Sequence, residues 1–163
     1  MSLIKYSSGA LPPLKHVRGM SLIEVLVAVV VVSIGLLGIA ALQVTTLQNN
    51  HNSLLRTQAS ALADDIIDRM RANRNAALAG EYLKVMGTPA AGASRAKLDL
   101  ISWQNALATI LPRAKDGSGA DGSVTVDAAT GLATVIIGWG ERGNSINDPA
   151  ADQAITFTTT TVI

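Results

Sequence analysis

Apolar and polar positions are distributed in three different ways along this chain. Residues 25–42 run without a charge, and Ser33 is the only polar side chain among them. With Met20 to Glu24 in front, the stretch would be roughly 34 Å long as a helix. From Leu47 the pattern changes. Leu47, Leu54, Leu55, Leu62, Ile66 and Met70 recur at steps of four, seven and eight, the stripe of an amphipathic helix. No proline interrupts Met20 to Leu83, and Gly80 is a natural stop, with Arg69, Arg71 and Arg74 near the negative end of the helix dipole. The spacing therefore predicts one helix of roughly 55–60 residues, with residues 20–42 as its apolar half and 43–80 as its amphipathic half.

Beyond Gly80 the periodicity shortens. Residues 84–97 are rich in Ala, Gly and Ser and read as a loop. Leu100, Trp103, Leu107, Ile110 and Leu111 then predict a short helix, with Asp99 as N-cap and Pro112 as terminator. Asp116-Gly117 and Asp121-Gly122 are turn signals in residues 113–122. Strict alternation in Ser123–Asp127, and much of Ala133–Trp139, predicts two strands joined by a turn over Ala128–Gly131. A polar loop over 140–153 leads to a last strand, Ile155–Ile163, whose threonines read most simply as a half-exposed polar face and alternatively as an edge open to another subunit. The fold class is α+β: a long N-terminal helix packed against a small antiparallel sheet in a head spanning 81–163. Trp103 and Trp139 read as core anchors.

Length and charge sharpen this picture. At 163 residues the chain is one ordinary domain with an appendage. A domain this small has no interior able to surround residues 25–42 on all sides, so the segment is expected in a membrane. Lys5, Lys15 and Arg18 precede it with no acid, and the next charge after Glu24 is Arg56. The positive-inside bias puts residues 1–19 in the cytoplasm and the remainder outside. A cleaved secretory signal gives the same charge pattern, with Gly38-Ile39-Ala40 as its small-residue site, and stays open at this point.

The composition narrows the chemistry. The chain has no cysteine, which excludes disulfides, thiolate metal sites and Cys nucleophiles. His51 is the only histidine after residue 16, so no His-based catalytic or metal constellation is formed. No catalytic, cofactor-binding or metal-ligating residues are assigned, no cofactor is expected, and the chain is not read as an enzyme. The Asp-Gly pairs lack the following Glu of a calcium loop. A formal net charge of +1 does not suit a nucleic-acid binder. The charge-dense run Asp64–Arg74 reads as a solvated helix face, with Asp64 and Asp68, and Asp65 and Arg69, at helical spacing.

One residue fits neither a plain anchor nor a plain signal. Glu24 lies inside the apolar stretch, where a carboxylate is costly unless paired. Its surroundings, Arg18-Gly19-Met20-Ser21-Leu22-Ile23-Glu24, resemble the leader junction of type IV pilins and pseudopilins. In that pattern a basic leader ends in Gly, an apolar residue follows, and Ser or Thr, two aliphatics and Glu precede an unbroken apolar helix. Met20 stands where the family favours Phe. The resemblance implies a pilin-like fold and cleavage between Gly19 and Met20 by a prepilin peptidase. It also implies N-methylation of Met20 by the same enzyme. The new amine of Met20 is cationic near neutral pH, and Glu24 of a neighbouring subunit would neutralise it during assembly.

Ser33 to Gly38 and Arg69 to Arg74 extend the resemblance to the type IV pilus modification proteins among the minor pilins. The expected partners are the prepilin peptidase, other minor and major pilins, the inner-membrane assembly platform and membrane lipid, with no nucleic acid. The expected location is the bacterial inner membrane, with the head in the periplasm, and then the filament. A minor pseudopilin of a type II secretion system shares the junction. An adhesin-like binding module using Trp139 is the third reading.

Overall fold

The computed structural model describes residues 19–113, 117, 119–141 and 153–163. The leader before Gly19, the turn signal at Asp116 and residues 142–152 of the polar loop lie outside the described residues. The chain divides into two compact units, Met1–Ala41 and Leu42–Ile163. Helix α1 (Leu22–Ala72) begins in the first and ends in the second.

In the first unit Gly19, Met20 and Ser21 are non-helical, and α1 starts immediately after them. Ser21 is the reason it starts there. Its Oγ accepts the Glu24 N–H at 3.3 Å, and its carbonyl accepts from the N–H groups of Glu24 and Val25 at 3.1 and 3.3 Å. A Ser followed three residues later by Glu is the sequence form of a capping box, and the Ser arm of that box is formed. Every side chain from Leu22 to Ala41 is exposed. The best 18-residue window has a mean hydropathy of 3.0, long and apolar enough to cross a membrane. Its one hydroxyl is satisfied internally, because Ser33 Oγ donates to the Val29 carbonyl at 2.7 Å.

The second unit contains the rest of α1, then α2 (Arg74–Leu78), α3 (Arg95–Ile110), β1 (Asp121–Val126), β2 (Leu132–Glu141) and β3 (Gln153–Val162). The strands form an antiparallel meander in the order β1-β2-β3. Ala133, Val135, Ile137 and Trp139 of β2 all face the core, with Val124 of β1 beside Val135. From α1 the core takes Leu55, Ala59, Leu62, Ala63, Ile66, Ile67 and Met70. From α3 it takes Ala96, Leu100, Trp103 and Leu107. Trp103 and Trp139 are both buried, as expected of core anchors.

The expected α+β arrangement is present, and four local expectations are corrected. The long helix does not run to Gly80. It breaks at Asn73 (φ −124°, ψ 49°), and Gly80 ends the short α2 instead. Gly80 has φ +78°, its N–H bonds the Ala77 carbonyl, and the Glu81 N–H bonds the Ala76 carbonyl. That is a Schellman stop, which favours glycine. Second, α3 starts at Arg95 with Ser94 as N-cap, its side chain accepting from the Lys97 N–H. Asp99 is a buried residue inside the helix, so the loop read over 84–97 ends three residues earlier, at Ser94. Third, Leu47 and Leu54 are 68% and 52% exposed. The buried stripe starts at Leu55 and is continued by Ala59 and Ala63, whose small side chains carry little hydrophobic signal. Fourth, Asp121-Gly122 opens β1 rather than a turn. The turn between β1 and β2 is where expected: Asp127 Oδ1 accepts the Ala129 N–H at 2.8 Å, and Gly131 takes φ +71°. The Ala129 N–H holds the Asp127 carboxyl below its usual range.

Candidate processing and assembly site

Gly19 and Met20 lie outside the helix, one step before its cap, and both are exposed. A Cβ built on Gly19 would meet nothing within 4 Å. The packing of the described residues therefore does not require glycine there. Glu24 stands in the first turn of α1, near the helix N-terminus. Its side chain is exposed, and among the described residues it makes no ion pair. Glu24 is therefore turned outward on a surface that is otherwise aliphatic. An uncompensated carboxylate in such a setting is stabilised by a cation supplied from outside the chain.

Gly35 and Gly38 follow the same logic. Among the described residues, a Cβ built at either position meets nothing within 4 Å beyond its own stretch of helix backbone. Thr46 Oγ1 donates to the Leu42 carbonyl at 2.9 Å, so the polar side chain just past the apolar run is also satisfied by its own helix. The surface that α1 offers from Val25 to Leu42 is therefore apolar and notched by two glycines.

Several ionisable groups tie the second unit together. Asp99, 4% exposed, accepts the Tyr82 hydroxyl at 2.7 Å and is flanked by Arg95 Nε at 3.2 Å and Arg69 Nη1 at 3.5 Å. Burial, with the bond to Asp99, pushes the Tyr82 phenol up to about 12. Arg69 also reaches Asp65 at 3.0 Å, the i,i+4 pair that the helical spacing suggested, and this bond raises its own pKa. A cleft of about 320 Å³ lies here, lined by Arg69, Ala72, Asn73, Arg95 and Asp99. On the other side Lys84, 4% exposed, donates to Asp121 Oδ1 at 2.7 Å and to the Gly122 carbonyl at 2.8 Å. Asp121 also takes the Gly87 N–H at 2.6 Å and Gln104 Nε2 at 3.3 Å. Arg56 and Glu141 form a two-bond pair at 3.1 and 3.2 Å, which raises the Arg56 pKa.

Sequence reading missed Tyr82 and Lys84. Their signal was the alternation in Tyr82-Leu83-Lys84-Val85, where Tyr82 and Lys84 are buried and Leu83 and Val85 are exposed. Lys84 pairs with Val124 as a one-residue bridge on the outer side of β1. Trp139, considered as a ligand contact, is 2% exposed and offers no open ring face.

Against known families, residues 14–40 match the prokaryotic N-terminal methylation motif. Residues 41–97 match the family described as Type IV pilin Tt1218. No curated protein and no solved structure matches the chain significantly. The first match spans Gly19, Met20 and Glu24, and the second spans the rest of α1, α2 and the start of α3. Together they support a pilin-type subunit, which is a structural role and not an enzymatic one. A prepilin signal implies processing by a prepilin peptidase and assembly with other pilins. The exposed apolar helix fits membrane anchoring.

Proposed function

We propose that this chain is a minor pilin of a type IV pilus. It is inserted in the bacterial inner membrane with residues 1–19 in the cytoplasm and its head in the periplasm. A prepilin peptidase cuts between Gly19 and Met20 and methylates the new amine of Met20. The observation that carries the reading is the junction itself. A strain-free glycine and an exposed Met20 precede a capped helix, and the methylation motif matches across them.

Cleavage at that point keeps the anchor, because the apolar run lies wholly on the product side. Glu24 supplies the negative charge for the new amine of a neighbouring subunit, so each incoming chain is drawn to the correct depth by charge neutralisation in an apolar setting. The two glycines of α1 allow close approach of other helices. The finer assignment, to the type IV pilus modification proteins named PilV, is supported by Ser33 to Gly38 and Arg69 to Arg74. In that role the chain helps prime assembly at the inner-membrane platform with other minor pilins.

Glu24→Ala tests the assembly role. The variant should remain in the membrane at normal abundance while disappearing from sheared filaments. Equal recovery of the variant and the parent chain in filaments would contradict the reading.

A further inference from the structure

We propose that the cleft between the end of α1 and the start of α3 binds a carboxylate, with Arg95, Arg69 and Asn73 as the donors. The site lies within the second unit and does not depend on the processing junction.

Its walls come from two helices. Arg69 and Ala72 stand on the last turn of α1, Asn73 at the break after it, and Arg95 and Asp99 on the first two turns of α3. The space, about 320 Å³, suits a small group and lies at the lower end of the range for ligand pockets, about 300–1,000 Å³. Arg69 and Asn73 are one helical turn apart and both reach the cleft. The other arginines of the same run do not. Arg71 pairs with Asp68 and Thr161, and Arg74 donates to the Ile163 carbonyl. The charge-dense run therefore divides into a part that fastens the sheet and a part that opens on the cleft. Ala72 is exposed, and its small side chain leaves the space between the arginines open.

The unused side-chain capacity here is mostly donors. Asp99 is the one anion among the lining residues, and it is occupied. Its Oδ2 takes the Tyr82 hydroxyl at 2.7 Å, and its Oδ1 takes Arg95 Nε at 3.2 Å and Arg69 Nη1 at 3.5 Å. These contacts hold both guanidinium groups in place. Arg95 spends only Nε, so its Nη1 and Nη2 make no hydrogen bond or ion pair among the described residues. Arg69 spends Nε on Asp65 and Nη1 on Asp99, which leaves Nη2. Asn73 Nδ2 has one long contact, 3.5 Å to the Tyr82 hydroxyl. Two fixed guanidinium forks and an amide are answered by a planar group that only accepts, and a carboxylate is such a group. The lining side chains carry two cations and one anion, so one negative charge balances them. Asp65 behind Arg69 lowers the positive field further, which disfavours a dianionic phosphate.

The position of Arg95 supports a binding role. A cation in the first turn of a helix opposes the helix dipole, and α3 has no acid in that turn to offset it. Arg95 is 78% exposed, so its pair with Asp99 adds little to stability, and Asp99 already has Arg69. A local rule broken without a gain to the fold marks a functional position.

The full chain, labelled with ¹⁵N on its arginine side chains, would be titrated in non-ionic micelles at constant ionic strength. The probes are sodium acetate, a neutral-capped peptide carrying one glutamate, and inorganic phosphate. The Nε–H signals of Arg95 and Arg69 should shift and saturate with the carboxylates. Arg56, paired with Glu141 away from the cleft, should not follow. Arg95→Gln should weaken the fitted affinity about tenfold or more. Ala72→Leu, which keeps every donor and fills the space, should weaken it comparably. Both variants should keep the parent's urea midpoint. Tighter binding of the peptide than of acetate identifies a protein side chain as the carrier of the carboxylate, and peptide binding no tighter than acetate identifies a free small carboxylate; either upholds the site. Non-saturating shifts shared by Arg56 would overturn the proposal, as would an affinity unchanged in both variants. So would phosphate binding more tightly than both carboxylates.

Discussion

Trp103 is held by two close fits. Its Nε1 donates to the Leu62 carbonyl of α1 at 2.8 Å. Its ring lies over Gly122, where a Cβ would collide with the indole and approach the Ile136 carbonyl to 2.9 Å. Gly122→Ala should therefore destabilise the head by about 1–3 kcal/mol through overpacking. Gly119→Ala, which meets nothing within 4 Å, is the control and should be near neutral. Urea unfolding followed by tryptophan fluorescence reads both, and equal midpoints for the two variants would contradict the packing argument. Tyr82 gives a second residue-scale outcome. In a chain beginning at Met20 it is the only tyrosine. Its phenol should titrate near pH 12, where burial and Asp99 place it. An unfolded chain ionises at about 10. The stability it contributes is thus complete below about pH 10 and lost as pH rises to about 12. Ultraviolet absorbance of the folded chain should show one transition at the upper value, and titration near 10 without unfolding would refute this. Neither the Tyr82–Asp99 contact nor the room made by Gly122 was legible in sequence. Both are long-range, and local grammar offered plausible substitutes: a helix cap for Asp99 and a turn for Asp121-Gly122.

Elements were more legible than contacts. The apolar run, the strand alternation and the hairpin turn each follow from a period that the residues carry themselves, and the structure has them at nearly the expected places. The end of α1 was not legible, because nothing local forbids Ala72-Asn73-Arg74 from continuing as helix. The break is accompanied by a tertiary contact, Asn73 Nδ2 to the Tyr82 hydroxyl at 3.5 Å. Arg74, just past it, donates to the Ile163 carbonyl at 3.0 Å. The core stripe was half legible for a related reason: Ala59 and Ala63 mark the buried line by being small, while exposed Leu54 imitates it. In the apolar part, a Cβ at Gly35 or Gly38 would meet nothing among the described residues beyond the helix's own backbone, and each glycine weakens the helix by about 1 kcal/mol relative to Ala. Replacing both with Ala should slow amide hydrogen exchange around residues 33–40 in micelles. Unchanged exchange there would show that these glycines are not weak points of the helix.

At the scale of the molecule, the head carries its own ion pairs, whereas the one carboxylate in the apolar half of α1, Glu24, makes no ion pair among the described residues. Asp99 and Asp121 have the cations Arg95 and Lys84 within the head, and Glu141 pairs with Arg56 of α1. In the proposed function the cation for Glu24 is the amine that cleavage creates at Met20 of another subunit. The whole account therefore turns on where the mature chain begins. The most direct measurement is the mass and N-terminal sequence of the protein recovered from membranes of cells that contain a prepilin peptidase. The account predicts a chain starting at Met20 with a methylated amine. A chain starting at Ala41, with the apolar helix and Glu24 removed, would contradict it, as would an uncleaved leader in the presence of active peptidase.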